Sequence, residues 1–233
     1  MGQFIHLKAL DGFAIPAYVA QPAGHVKAAV VVIQEIFGVN SHIQAVTDRF
    51  AAQGYLAIAP AMFERVTPGV NLGYQPDDMT AGMGLKAAAT DLPAPGVMQD
   101  IQAAIDYAAL QSGGKVGVIG FCWGGLLTWQ SACVLNGISA AVPYYGGGMT
   151  VAYEVARQPK CPVMAHFGEK DGYIPIDGDS GVKAFAAAHP EVTVHTYDAD
   201  HGFNCDQRGS YNQAAADKAR ERTLAFFAEK LAQ

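Results

Sequence analysis

The chain has 233 residues, 51% of them hydrophobic, and a formal net charge of −6, which is enough apolar material for one enzyme-sized core. That charge balance excludes nucleic acid and an anionic membrane surface as main partners, because both require clustered Lys and Arg. A small-molecule partner is expected instead.

The first residues, MGQFIHLKALDG, contain no basic segment followed by an apolar core, and His6 stands where a myristoylation motif wants Ser or Thr. A cytoplasmic protein is expected, with residues 1–233 as one domain. FAIPAYVA (13–20) alternates as a half-buried strand does, and AAVVVIQ (28–34) is a continuous apolar run suited to a buried parallel strand. SHIQAVTDRFAAQG (41–54) reads as a helix with a serine cap and a closing glycine, followed by a strand at YLAIAP (55–60). Residues 64–96 break this rhythm. They are rich in Pro and Gly with only a weak central helix signal, and suit either a lid or pocket wall or a mobile surface loop.

A helix follows at GVMQDIQAAIDYAALQSGG (96–114), then a strand at KVGVIG (115–120) that runs into a second helical pattern. Further strands are expected at ISAAVPYYG (138–146), CPVMAHFG (161–168) and VTVHTYD (192–198), with a long closing helix at YNQAAADKARERTLAFFAEKLAQ (211–233). Repeated β-α alternation predicts the α/β class, a mostly parallel central sheet with helices on both faces.

The four cysteines, Cys122, Cys133, Cys161 and Cys205, form no C-x-x-C pair, and free thiols are expected. The seven histidines show no H-E-x-x-H spacing, so neither a metal nor another cofactor is predicted.

GFCWG (120–124) places one cysteine between glycines, directly between a strand and a helix. Missing side chains at Gly120 and Gly124 let the two backbones pass closely, leaving Cys122 exposed in a strained turn. The helix N-terminus that follows favours an anion and lowers the pKa expected of the thiol. This is the form of the α/β-hydrolase nucleophile elbow, whose acid and histidine follow later in the chain.

Asp171 in GEKDGYIP and His201 in ADHGFN occupy those later positions, with Asp177, Asp179 and Asp200 as local competitors for the acid. His166, His189 and His195 lie within or beside predicted elements and should point elsewhere. Glu35 ends an apolar strand, where a carboxylate needs a partner. The backbone N–H groups of Ile36 and Trp123 are the expected oxyanion donors.

QEIFGVN, GFCWGG, HFGEKDGYIP and DADHGF, in that order and spread over nearly the whole chain, resemble the dienelactone hydrolase family, α/β-hydrolases with a Cys-His-Asp triad. The resemblance implies Cys122 as nucleophile, His201 as base, Asp171 as its orienting partner and Glu35 as a carboxylate that interacts with the thiol. The implied reaction is hydrolysis of a small lactone or ester through a thioester, without a cofactor. The alternatives are an esterase acting on an unrelated small ester, or a thiol sensor or binding protein without turnover. Oligomeric state is left open.

Family members that convert dienelactone hold the substrate carboxylate with arginines in the mid-chain excursion and shortly after the catalytic histidine. Here residues 66–96 contain no arginine and only Lys86, Cys205 stands near the second position, and Arg208 comes seven residues after His201. This departure predicts weaker selectivity for carboxylate-bearing dienelactones and a preference for a neutral or differently shaped substrate, unless Arg208 folds back.

Overall fold

A computed structural model describes residues 2–232. The ends of the expected 1–233 span, Met1 and Gln233, lie outside the described residues, and with them the last residue of the predicted closing helix. The described strands are β1 (Gln3–Lys8), β2 (Ala14–Ala20), β3 (Ala29–Ile33), β4 (Leu56–Pro60), β5 (Val116–Phe121), β6 (Ile138–Tyr144), β7 (Met164–Gly168) and β8 (Thr193–Tyr197). They form one sheet in the order β1-β2-β4-β3-β5-β6-β7-β8. β1 and β2 pair antiparallel, β2 is antiparallel to β4, and the other neighbours are parallel.

The helices are α1 (Ser41–Ala52), α2 (Pro76–Thr90), α3 (Met98–Ser112), α4 (Trp123–Val134), α5 (Ala152–Val155), α6 (Val182–Ala188) and α7 (Gln213–Lys230). This is the mostly parallel α/β architecture expected from the sequence. The unbroken apolar run of β3 follows from burial on both sides of the sheet. Val30 and Val32 join a core cluster with Val46 and Phe50 of α1 and Phe227 of α7. Val31 and Ile33 join a second cluster with Ile101 and Ile105 of α3. Each fully buried aliphatic side chain contributes roughly 1.5–3 kcal/mol, so this strand fixes both layers to the sheet.

Two details differ from the sequence expectations. The cap of α1 is Asn40, whose side chain accepts from the Ile43 N–H at 3.3 Å, and Ser41 is the first helical residue. An Asn can cap as well as Ser, so the helix slides by one residue. The excursion contains α2, started by Pro76 in its first turn and by Asp78, which accepts from the Gln75 N–H at 3.0 Å.

That excursion is tied to the loop after β3. The Leu72 N–H donates to the Phe37 carbonyl at 2.9 Å, and Gly38 and Asn71 form an antiparallel bridge. Gly82 lies so close to the Ile36 carbonyl that a β-carbon there would collide with it. Residues 70–82 therefore pack on the loop after β3. Glu35, Cys122, Tyr145, Asp171 and His201 all follow the carboxyl ends of strands, the edge where open α/β sheets bind ligands.

Candidate active site

Cys122 occupies the turn between β5 and α4 with φ 56° and ψ −117°, a strained conformation for a residue with a side chain. The turn is held by the Cys122 N–H donating to the Tyr144 carbonyl at 3.1 Å and by the Gly125 N–H donating to the Cys122 carbonyl at 2.9 Å. A β-carbon at Gly120 would strike the Gly124 carbonyl and the Thr128 hydroxyl, and one at Gly124 would strike the carbonyls of Ile33 and Gln34. Both glycines are required for the helix to start so close to the sheet, as the motif predicted.

His201 Nδ1 and Asp171 Oδ2 are 2.7 Å apart, and both side chains are buried. The Tyr173 N–H donates to the other Asp171 oxygen at 2.8 Å, fixing the carboxylate. Tyr145 and Tyr173 set ring edges against the imidazole at 5.1 and 5.2 Å. Burial opposes charge on His201, but its contacts with Asp171 and Cys122 outweigh that penalty and raise its pKa to about 10. The structure thus brings Cys122, His201 and Asp171 together.

The competing acids lie elsewhere. Asp177 pairs with Lys183 at 2.7 Å, Asp179 is exposed, and Asp200 accepts from the His201 backbone N–H. His166 sits between the Tyr197 and Thr223 hydroxyls, His189 contacts Glu191 and the Val155 carbonyl, and His195 stacks on His166.

Glu35 is 1% exposed and has the partner its position demanded. Arg208 donates to Oε1 at 3.0 Å, and the Tyr74 hydroxyl lies 3.5 Å from Oε2. Among the described residues no hydrogen bond joins Glu35 to the Cys122 thiol. Burial works against the Arg208 charge, but Glu35, with Tyr145 and Cys122 adding, raises its pKa. Arg208 therefore does fold back to the site, where it is committed to Glu35. Ile36 and Trp123 are buried at the two turns. Among the described residues neither of their backbone N–H groups donates to a protein acceptor.

Tyr74, Tyr145 and His42 were not singled out in the sequence. The Tyr145 hydroxyl is buried without a hydrogen-bond partner among the described residues, and burial, then Glu35, Cys205 and Cys122 raise its pKa. The strand predicted over 138–146 hid it, since β6 ends at Tyr144 and Tyr145 directly follows its carboxyl end. Tyr74 had no signal, because only the folded excursion brings it to Glu35.

No described helix is long and apolar enough to cross a membrane. The dienelactone hydrolase family profile matches residues 15–231. The carboxymethylenebutenolidase of Pseudomonas putida is 34% identical over 240 residues, covering 96% of this chain and 95% of its own. A candidate carboxymethylenebutenolidase of Synechocystis is 37% identical over 231 residues, covering 93% and 92%. The crystal structure of a candidate dienelactone hydrolase from Klebsiella pneumoniae superposes with a TM-score of 0.80 at 30% identity, covering 98% of each chain. With this fold, this elbow and matches along nearly its whole length, the chain belongs to the dienelactone hydrolase family and is a hydrolase of that type.

Proposed function

We propose that the protein hydrolyses a small lactone or carboxylic ester through a thioester on Cys122. The observation that carries this reading is the buried Asp171–His201 contact of 2.7 Å beside a thiol on a positive-φ elbow. Against the effect of burial, Asp171 and Cys122 raise the His201 pKa to about 10, so at neutral pH an imidazolium stands beside the Cys122 thiol. The sulfur attacks the carbonyl carbon, and the backbone N–H groups of Ile36 and Trp123 hold the oxyanion. As the C–O bond breaks, His201 Nε2 gives its proton to the leaving oxygen. Neutral His201 then takes a proton from water, the resulting hydroxide displaces the sulfur, and the acid product and the free enzyme are released. Glu35 acts on the thiol proton before attack.

The substrate we favour is neutral. Carboxymethylenebutenolidase is the name of the relatives, but here Arg208 is held by Glu35 at 3.0 Å. Part of its charge is already neutralised there and one of its N–H donors is taken, which weakens its hold on a substrate carboxylate. One lost charge-assisted contact is worth about 1.5–3 kcal/mol, or roughly tenfold or more in affinity. The test is turnover of a panel of lactones and small esters, including a dienelactone and its methyl ester, with Cys122→Ala as control. Similar or higher kcat/KM for the methyl ester is expected. A large preference for the free acid that disappears in Arg208→Ala would refute the substrate assignment.

A further inference from the structure

Three buried side chains from distant parts of the chain converge beside the elbow: Glu35 after β3, His42 on α1 and Cys205 in the turn before α7. One ligating atom of each lies within 4.8 Å of the other two. His42 and Cys205 are fully buried and Glu35 nearly so. His42 Nδ1 faces Asp206 Oδ1 at 3.2 Å, while Nε2 is buried with no hydrogen-bond partner among the described residues. A buried polar atom left so is unfavourable unless something binds it. The Asp206 contact is the kind that orients a metal-binding imidazole, with the proton on the nitrogen facing the carboxylate and the lone pair on the other. Glu35 is itself braced by Arg208 and Tyr74.

We propose that Glu35, His42 and Cys205 form a binding site for a borderline divalent cation, for which Zn²⁺ is the best match. Carboxylate, imidazole and thiolate are all zinc ligands, and three of them leave a fourth position for water. A tetrahedral zinc with arms of about 2.0–2.3 Å needs donors about 3.3–3.8 Å apart, so side-chain shifts of about 1 Å close the set. On binding, the Cys205 S–H bond breaks, its proton passes to solvent and a Zn–S bond forms. His42 supplies the Nε2 lone pair. Glu35 supplies Oε2, whose protein contact is the 3.5 Å approach of Tyr74. The cation and Arg208 then share one carboxylate, which couples occupancy to the ion pair beside the elbow. Sequence spacing shows no ligand motif because the donors come from residues 35, 42 and 205.

Calorimetric titration of Zn²⁺ into the chelator-treated full chain, with Co²⁺ as a spectroscopic probe, tests the site. One cation per chain is expected, together with a thiolate-to-cobalt charge-transfer band. Removing even an outer partner of a metal site costs about 10–100-fold in affinity, so Cys205→Ser and His42→Gln should each weaken binding by at least about a hundredfold and remove or alter the band. Cys122→Ala should keep stoichiometry and band. Thermal melting shows which variants remain folded, and Cys205→Ser, a one-atom change, decides if His42→Gln does not fold. Unchanged affinity in Cys205→Ser, loss of binding in Cys122→Ala, or no saturable binding at all would overturn the proposal.

Discussion

Arg208→Ala removes the partner of a carboxylate that water cannot reach. Glu35 is 1% exposed and the Arg208 side chain 13%, so the pair belongs with buried ion pairs, whose disruption from one side costs about 3–5 kcal/mol. An exposed pair would cost about 0–1 kcal/mol. In a chain of this size 1 kcal/mol moves Tm by about 2–4 °C, so the melting temperature should fall by roughly 6–20 °C. Calorimetric melts at neutral pH measure this directly. The double variant Glu35→Gln/Arg208→Ala replaces the stranded charge with a neutral amide and should melt above Arg208→Ala alone. A fall of less than about 2 °C, or a double variant no more stable than the single one, would refute the claim that the pair balances a buried charge.

Asp171→Asn should lower kcat roughly 10³–10⁴-fold, as loss of the orienting acid does in other triads; a loss under tenfold in steady-state assays would contradict its role. The same change should move the NMR titration midpoint of His201 down from about 10. Because that pKa is raised above its ordinary 6.5, the stabilisation is complete below about pH 6.5 and lost as pH rises through 10. The stability gap between wild type and Asp171→Asn should therefore narrow over that interval, and a widening gap would count against the assignment. Iodoacetamide should label Cys122 first, since burial pushes Cys133 and Cys205 up to about 12 and Cys161 to about 11; equal labelling, read by peptide mass, argues against an activated thiol. Glu35→Gln should shift the pH profile of acylation, and an unchanged profile would leave Glu35 a structural role only.

The elbow was legible because its motif is local in sequence. Gly120, Cys122 and Gly124 lie within five residues at one strand-to-helix turn, so the motif shows in the sequence even though Gly124 is required by the carbonyls of Ile33 and Gln34 on β3 and after it, and β3 announced itself by an apolar run that only two-sided burial explains. β1 was not expected, since QFIHLK buries only Leu7 fully. Its order comes from backbone pairing with β2, which leaves little side-chain pattern. α2 carries Gly82 and Gly84 in its middle and few buried residues, so periodicity is faint; Gly82 is present for the sake of Ile36, 46 positions earlier. Glu35 signalled that it needed a partner but not which one, because Arg208 is 173 residues away. His42 and Asp206 meet across 164.

The central claim is a covalent thioester on Cys122, and the most direct measurement is mass spectrometry of protein quenched during turnover of an activated ester. Use of His201→Ala alongside wild type slows the deacylation step in which His201 activates water. The account predicts an adduct of the acyl mass on the peptide containing Cys122, and neither adduct nor turnover in Cys122→Ala. Undiminished turnover in Cys122→Ala, or an acyl group carried on another residue, would contradict it.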